Sequence, residues 1–180
     1  MHTKTLDLGC GRVPQNPFNA AEAFGIDILE SADGRIRKAD LAVEPIPFED
    51  GMFDAVTAFD FLEHIPRVIY CPGRRNSFVE LMNEVYRVLK LDGLFYSKTP
   101  AFPHAPAFMD PTHVNVITEG TFSLYFADAQ PDSPWAIIYG FKGAFKMISE
   151  QWQGPHLVSI LQKIPLAEAP NYKNGHSPLP

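Results

Sequence analysis

A chain of 180 residues with 46% hydrophobic and 20% charged residues holds enough apolar material for one well-formed core. Its formal net charge of -6 argues against a duplex nucleic-acid binder, which needs a basic face to displace counterions. No apolar run approaches a membrane span. Met1 to Lys4 leave no room for a signal peptide before the first strand, and Cys10 and Cys71 make no disulfide framework, so the expected compartment is the reducing cytoplasm.

Residues 6–8 read as a buried strand running into the turn Gly9-Cys10-Gly11, where two glycines let a ligand lie against bare main chain. A dinucleotide fingerprint needs a third glycine, but Pro14 stands in its place and Pro17 follows. The long helix that usually leaves such a turn is therefore shortened to at most one turn over 20–24. Residues 24–28 are expected as a second strand, 34–39 as a third and 53–59 as an apolar, central fourth. Phe78, Leu81, Met82, Val85 and Leu89 recur at three- and four-residue spacing and predict a helix over 76–90, with Gly93 as its stop. A fifth strand over 94–98 leads into a proline-punctuated loop over 99–117, then a short helix over 119–127. Residues 145–152 and 156–164 read as a hairpin across Gln153-Gly154-Pro155. The expected fold class is α/β, a sheet parallel in its body and antiparallel at one edge. Residues 1–164 form one domain, 99–135 a substrate-covering insert, and 165–180 a loosely held tail.

Four acids fall at strand ends in chain order. Asp7 lies beside the glycine turn, Asp27 near the offset at which an acid accepts ribose hydroxyls, Asp40 where a carboxylate could receive an exocyclic amine, and Asp60 just past the fourth strand. One such acid alone reads as a turn residue. Four on one rim suggest a ligand with a ribose and an amine, and the chain has no lysine-bearing phosphate loop.

Six stretches then combine: Leu6-Asp7-Leu8-Gly9-Cys10-Gly11; Gly25-Ile26-Asp27; Ala39-Asp40-Leu41; Pro47 to Asp54; Leu62-Glu63-His64-Ile65; and Glu84 to Gly93. In this order and spacing the chain resembles the class I S-adenosylmethionine-dependent methyltransferases, small-molecule type. Asp110-Pro111-Thr112-His113 also resembles a segment of that group. The resemblance implies a Rossmann-like, seven-stranded sheet with a C-terminal antiparallel hairpin and S-adenosylmethionine as cofactor. It implies that Gly9 and Gly11, with Asp7, Leu8 and Cys10, border the methionine part. Asp27 and Ile28 belong to the ribose, Asp40 and Leu41 to the adenine, and Phe59 and Asp60 to the amino-acid moiety and methyl channel.

Three departures accompany it. The interval from Gly11 to Asp27 is short, leaving Arg12 as the candidate positive charge. Helices that commonly precede the first strand are missing, so cover must come from 66–75 and 99–117 or from another subunit. The link between the second and third strands is too short for a crossover helix, which leaves one sheet face thinly covered.

Methyl transfer from a sulfonium needs alignment first, and a base only for a hydroxyl or protonated amine. His64 and His113 are the candidate bases; packing at a helix start and loop scaffolding are their other readings. His104, Asp110 and His113 gain no support from a cysteine pair, so no metal is expected. Arg67, Arg74 and Arg75 around Cys71 read as a basic cover or a solvated loop, and Trp135, Tyr139, Phe141 and Trp152 as acceptor pocket or core. The asparagine-proline-proline-aromatic motif of nucleobase methylation is absent. The expected activity is methyl transfer to oxygen or nitrogen of a small molecule or sugar-containing metabolite, without membrane or nucleic-acid partners and with homo-oligomerisation left open. The alternative is an inactive relative that binds the cofactor or a partner protein. Pro14 argues against a nicotinamide oxidoreductase.

Overall fold

The computed structural model describes residues 3–127 and 135–166. Strands β1 (Lys4–Leu8), β2 (Glu22–Asp27), β3 (Ile36–Lys38) and β4 (Phe53–Phe59) come first. A two-rung hairpin, β5 (Ile69–Tyr70) and β6 (Arg74–Arg75), precedes helix α1 (Ser77–Val88) and the long strand β7 (Leu89–Pro100). Short helices α2 (Pro106–Met109) and α3 (Thr121–Tyr125) lead to the closing strands β8 (Phe145–Gln153) and β9 (His156–Lys163). Seven strands form one sheet in the order β3-β2-β1-β4-β7-β9-β8. β1 to β4 and β7 are parallel, and β9 runs antiparallel to both β7 and β8. This is the Rossmann-like, seven-stranded sheet with a C-terminal antiparallel hairpin expected from the sequence.

The pleat sorts the core. Leu6, Leu8, Val56, Ala58, Phe95, Leu157 and Leu161 share one face, by their register, and all are buried. Against them pack Phe78, Leu81, Met82 and Val85 of α1, with Phe122, Phe126, Phe141 and Phe145. On the other face lie Asp7, Thr57, Tyr96 and Ile160. Among the described residues none of the links β1–β2, β2–β3 and β3–β4 carries a helix, and on this face Phe18, from the segment after the glycine turn, meets Tyr96 edge-on at 6.2 Å. The link between β2 and β3 thus lacks a crossover helix, as expected.

Several boundaries differ from expectation. No helical turn forms over 20–24, because β2 already begins at Glu22 and pairs with Lys4. Helix α1 stops at Leu89, which turns extended (φ -71°, ψ 140°), and β7 starts there without a loop. Gly93 therefore ends no helix. It sits in the bulge where Phe53 pairs with Leu89 but Ala55 with Leu94, and a Cβ there would lie 2.8 Å from the Lys90 carbonyl. The hairpin β5–β6 and helix α2 have no periodicity long enough to announce them. The end of α1 is closed from far away: Lys163 on β9 donates to the carbonyls of Tyr86 and Leu89 at 2.7 Å each, and the Tyr86 hydroxyl donates to the Ile164 carbonyl at 2.8 Å. The tail expected over 165–180 falls outside the described residues from 167 onward, as does 128–134 of the expected insert. No helix among the described residues is long and apolar enough to cross a membrane.

Candidate cofactor and acceptor site

The register brings the carboxyl ends of β1, β2 and β4 level. Leu8 pairs with Ile26 and with Ala58, so Gly9, Asp27 and Phe59 leave the sheet along one rim. Ligands of open α/β sheets bind at such a rim. Gly9 and Gly11 adopt φ of +66° and +60°, a region where side chains are disfavoured. At Gly9 a Cβ would also meet the Phe61 ring at 2.4 Å. Gly25 is bare for a different reason: Cys10 Sγ and Pro14 would lie 2.3 and 2.9 Å from a Cβ there. Pro14, which replaces the usual third glycine, thus folds the post-turn segment down onto β2.

Asp27 accepts the Gly11 N–H at 2.8 Å and the Leu29 N–H at 2.9 Å, one on each carboxylate oxygen. It holds the glycine turn in place while keeping lone pairs for two hydroxyls. Exposed Ile28 (65%) and Leu29 (63%) follow it and supply apolar surface beside the rim. Asp40 lies one residue past Ala39, whose N–H bonds the Asp27 carbonyl at 3.0 Å. Its carboxylate accepts the Ala42 N–H at 3.0 Å, whereas Leu41 is core.

Asp7 and Leu8 are placed otherwise. Leu8 is fully buried, and Asp7 is 1% exposed, accepting the Gln15 N–H at 2.8 Å and the Thr57 hydroxyl at 2.7 Å. Burial outweighs these bonds and pushes the Asp7 carboxyl up to about 6. Asp7 thereby shapes the segment after the glycine turn from beneath. Burial, with Asp7 and Asp27 nearby, pushes the Cys10 thiol up to about 12. Arg12 is exposed at the turn.

At the end of β4, Phe59 lies against Tyr96 (5.1 Å) and Asp60 takes a left-handed conformation (φ +46°) fixed by its N–H to the Lys98 carbonyl. Asp60 Oδ1 lies 3.0 Å from His156 Nε2, a partner that the sequence reading did not name; its position opening the second hairpin strand was the only clue. Next come Glu63 and His64 in a short 3-10 turn. Glu63 is 1% exposed; Thr99 donates to Oε2 at 3.3 Å, while Oε1 has no hydrogen-bond partner. Burial, reinforced by Asp60, raises its carboxyl to about 7 despite bonds to its own backbone and Thr99 and the pull of His113. His64 and His113, expected as separate candidates, come together edge-on with ring centroids 4.9 Å apart, and Glu63 joins them. The two segments expected as cover meet one another. Arg67 donates to Asn115 Oδ1 at 2.7 Å and to the Val116 carbonyl, and the Val114 and Asn115 N–H groups bond the Glu63 carbonyl, so 66–75 and 99–117 are laced together beside the site.

Other groupings disperse. His104 packs on Trp152 (4.9 Å) instead of joining Asp110 and His113, and Asp110 serves Thr112. Arg75 pairs with Glu80 at 2.5 Å. Phe141 is core, Trp152 donates to Glu119, and Trp135 packs on Tyr125. Two roomy cavities, about 780 and 510 Å³, lie along α1 and include neither the glycine turn nor Asp27.

Comparison with known proteins fits this geometry. A family profile described as "Methyltransferase domain" matches residues 6–97, from β1 into β7. The chain belongs to this family; it is a methyltransferase, and its cofactor is S-adenosylmethionine. Among solved structures it is similar to a Pyrococcus horikoshii protein (18% identity, TM-score 0.58, covering 91% of this chain and 82% of that one). An S-adenosylmethionine-dependent methyltransferase from Methanosarcina mazei aligns at 15% identity and TM-score 0.57, over 91% and 94% of the two chains. A putative Haloferax volcanii methyltransferase, solved in complex with the activator Trm112, aligns at 12% identity and TM-score 0.56, over 91% and 84%. These likenesses concern the fold. No curated protein sequence matches the chain.

Proposed function

We propose that the protein transfers a methyl group to an oxygen or nitrogen of a small molecule or sugar-containing metabolite in the cytoplasm. The observation that carries this reading is the cluster of protonatable groups at the end of β4. His64, His113, His156, Asp60 and Glu63 stand where the acceptor must approach the rim, a set suited to taking a proton from O–H or N–H. The residues fit the cofactor: a bare main-chain turn at Gly9, a carboxylate with spare lone pairs at Asp27, and apolar Ile28 and Leu29 beside it. When bound, S-adenosylmethionine supplies the activated methyl group and a neutral leaving group. The chain's own work is then positional. Asp27 fixes the ribose and the turn together, Gly9 and Gly11 admit the amino-acid end, and the laced cover limits water. The cluster that holds His64, His113 and the Asp60–His156 pair accepts the acceptor's proton. An acceptor of modest size agrees with a net charge of -6, and the two free cysteines suit a reducing compartment.

The test is calorimetric titration with S-adenosylhomocysteine of wild type and Asp27→Ala, followed by isotopic methyl transfer to a panel of small alcohols, amines and glycosides. Micromolar binding, about -8 kcal/mol, lost in the variant, with label appearing on O or N, supports the reading. Label on carbon, or on a protein or nucleic acid alone, overturns it. A second reading, a cofactor-binding relative that works only with a protein partner or a second copy, draws on the helix-free links β1–β2, β2–β3 and β3–β4 among the described residues. It gains support if cofactor binds but no acceptor is labelled until a partner is added.

A further inference from the structure

Three side chains at the acceptor end of the site have an arrangement that general-base duty leaves unexplained. One carboxylate oxygen of Glu63 and one ring nitrogen each of His64 and His113 lie within 4.8 Å of one another. Glu63 Oε1 is buried and has no hydrogen-bond donor. Its nearest basic neighbour, His113 Nε2, is 4.0 Å away, too far for a hydrogen bond.

The opposite nitrogens of the two imidazoles are occupied by groups that fix their tautomers. His113 Nδ1 faces the Ala107 carbonyl at 3.4 Å, and a carbonyl only accepts, so Nδ1 carries the proton. His64 Nδ1 faces the Thr112 carbonyl at 3.3 Å and the Thr112 hydroxyl at 3.0 Å. That hydroxyl donates to Asp110 Oδ1 at 2.6 Å, so toward His64 it accepts, and again Nδ1 is the donor. Both Nε2 atoms are left as lone pairs. The lone pair of His113 Nε2 thus lies 4.0 Å from the undonated Glu63 Oε1, and a ring nitrogen of His64 lies within 4.8 Å of both residues' ligand atoms. Histidines that hold metal ions are oriented in this way, by an N–H donated from the far nitrogen to a carbonyl or carboxylate-backed group.

We propose that Glu63, His64 and His113 bind a divalent first-row transition-metal ion. Two imidazoles and a carboxylate suit zinc, manganese or iron better than magnesium, whose preference is oxygen alone. An ion central to three atoms no more than 4.8 Å apart is at most about 2.8 Å from each, so each closes by no more than roughly 0.7 Å to reach the usual 2.1 Å. His64, the more exposed of the three, leaves the remaining coordination positions open toward the acceptor. The Asp110-Pro111-Thr112-His113 stretch acquires a role as a unit: His113 is a ligand, Thr112 orients the second ligand, and Asp110 fixes Thr112. Ion binding stands on this geometry alone. Only its use, holding an acceptor oxygen beside the methyl group, rests on the methyltransferase reading.

The experiment is calorimetric titration of chelator-treated, full-length protein with Zn²⁺, Mn²⁺ and Mg²⁺, with no methyl acceptor present. A one-to-one complex with Zn²⁺ or Mn²⁺ of micromolar or lower Kd is expected, with Mg²⁺ weaker. His113→Ala and Glu63→Gln abolish it, Thr112→Val weakens it about 10-fold or more, and His104→Ala leaves it unchanged. His64→Ala, at the most exposed ligand, stands in should Glu63→Gln fail to fold. Absence of binding, binding by Mg²⁺ alone, or binding that survives His113→Ala and His64→Ala overturns the proposal. Each sample is also titrated with S-adenosylhomocysteine. Cofactor binding without metal binding sinks this inference and spares the methyltransferase reading.

Discussion

Replacing Asp7 by Asn should make the protein less sensitive to alkaline pH. Asp7 is 1% exposed, and its carboxyl is pushed up from an ordinary 3.8 to about 6. A carboxyl whose folded value is raised favours folding while protonated; that contribution is complete below 3.8 and is lost as pH rises through about 6. The gap corresponds to about 3 kcal/mol, most of which falls between pH 4 and pH 8. In the variant the amide oxygen accepts from Gln15. The amide nitrogen donates to Thr57 Oγ1, whose hydroxyl turns to the Leu6 carbonyl 3.4 Å away. No ionisation remains to disfavour folding. Urea unfolding at half-unit intervals gives the difference in stability between wild type and Asp7→Asn, in which other titrating groups such as Glu63 cancel. Wild type should lose about 2 kcal/mol relative to the variant from pH 4 to pH 8. A flat difference, or a wild type that gains with pH, would show that the Gln15 and Thr57 bonds outweigh desolvation and refute the reasoning.

Gly9→Ala combines a left-handed backbone with a Cβ 2.4 Å from the Phe61 ring. It should cost about 1–2 kcal/mol in thermal unfolding and weaken S-adenosylhomocysteine binding, and unchanged binding would place the cofactor elsewhere. Arg87 donates to the Ile46 and Phe48 carbonyls, each at 2.8 Å, and pairs with Glu84 and Asp50. Arg87→Met should destabilise by about 3 kcal/mol, read by urea unfolding, because charged hydrogen bonds to carbonyls are lost together. Cys71 is exposed, whereas the Cys10 thiol is held near 12, so alkylation at pH 8 should consume one thiol quickly and the other slowly; equal rates would mean that the turn opens in solution.

The sheet was legible because its strands carry local signals: apolar runs ending in glycine or acid, and one helix with a clean three-and-four period. The glycine turn was legible for the same reason, since one short stretch holds it, and Asp27 stood out as the acid that ends the next apolar run. Elements that rest on distant partners were not. Leu89 leaves the helix because it pairs with Phe53, and Gly93 looked like a stop because sequence cannot show the bulge around it. Glu63 stood in view within Leu-Glu-His, yet its role depends on His113, fifty residues on, arriving through a loop with no periodicity. His156 meets Asp60 only once the last hairpin crosses the sheet. Asp7 shows the opposite error: a motif position next to the ligand turn whose carboxylate faces inward.

The cap that Lys163 places on the end of α1 bears on the order in which the chain matures. During synthesis the family-matched stretch, ending at residue 97, leaves the ribosome well before residue 163. Until then the Tyr86 and Leu89 carbonyls lack the Lys163 ammonium, and β7 lacks its neighbour β9 along one edge. The family-matched half of the protein is thus written first but finished last, and a nascent chain stalled short of residue 163 would carry the glycine turn and Asp27 on a sheet still open at β7.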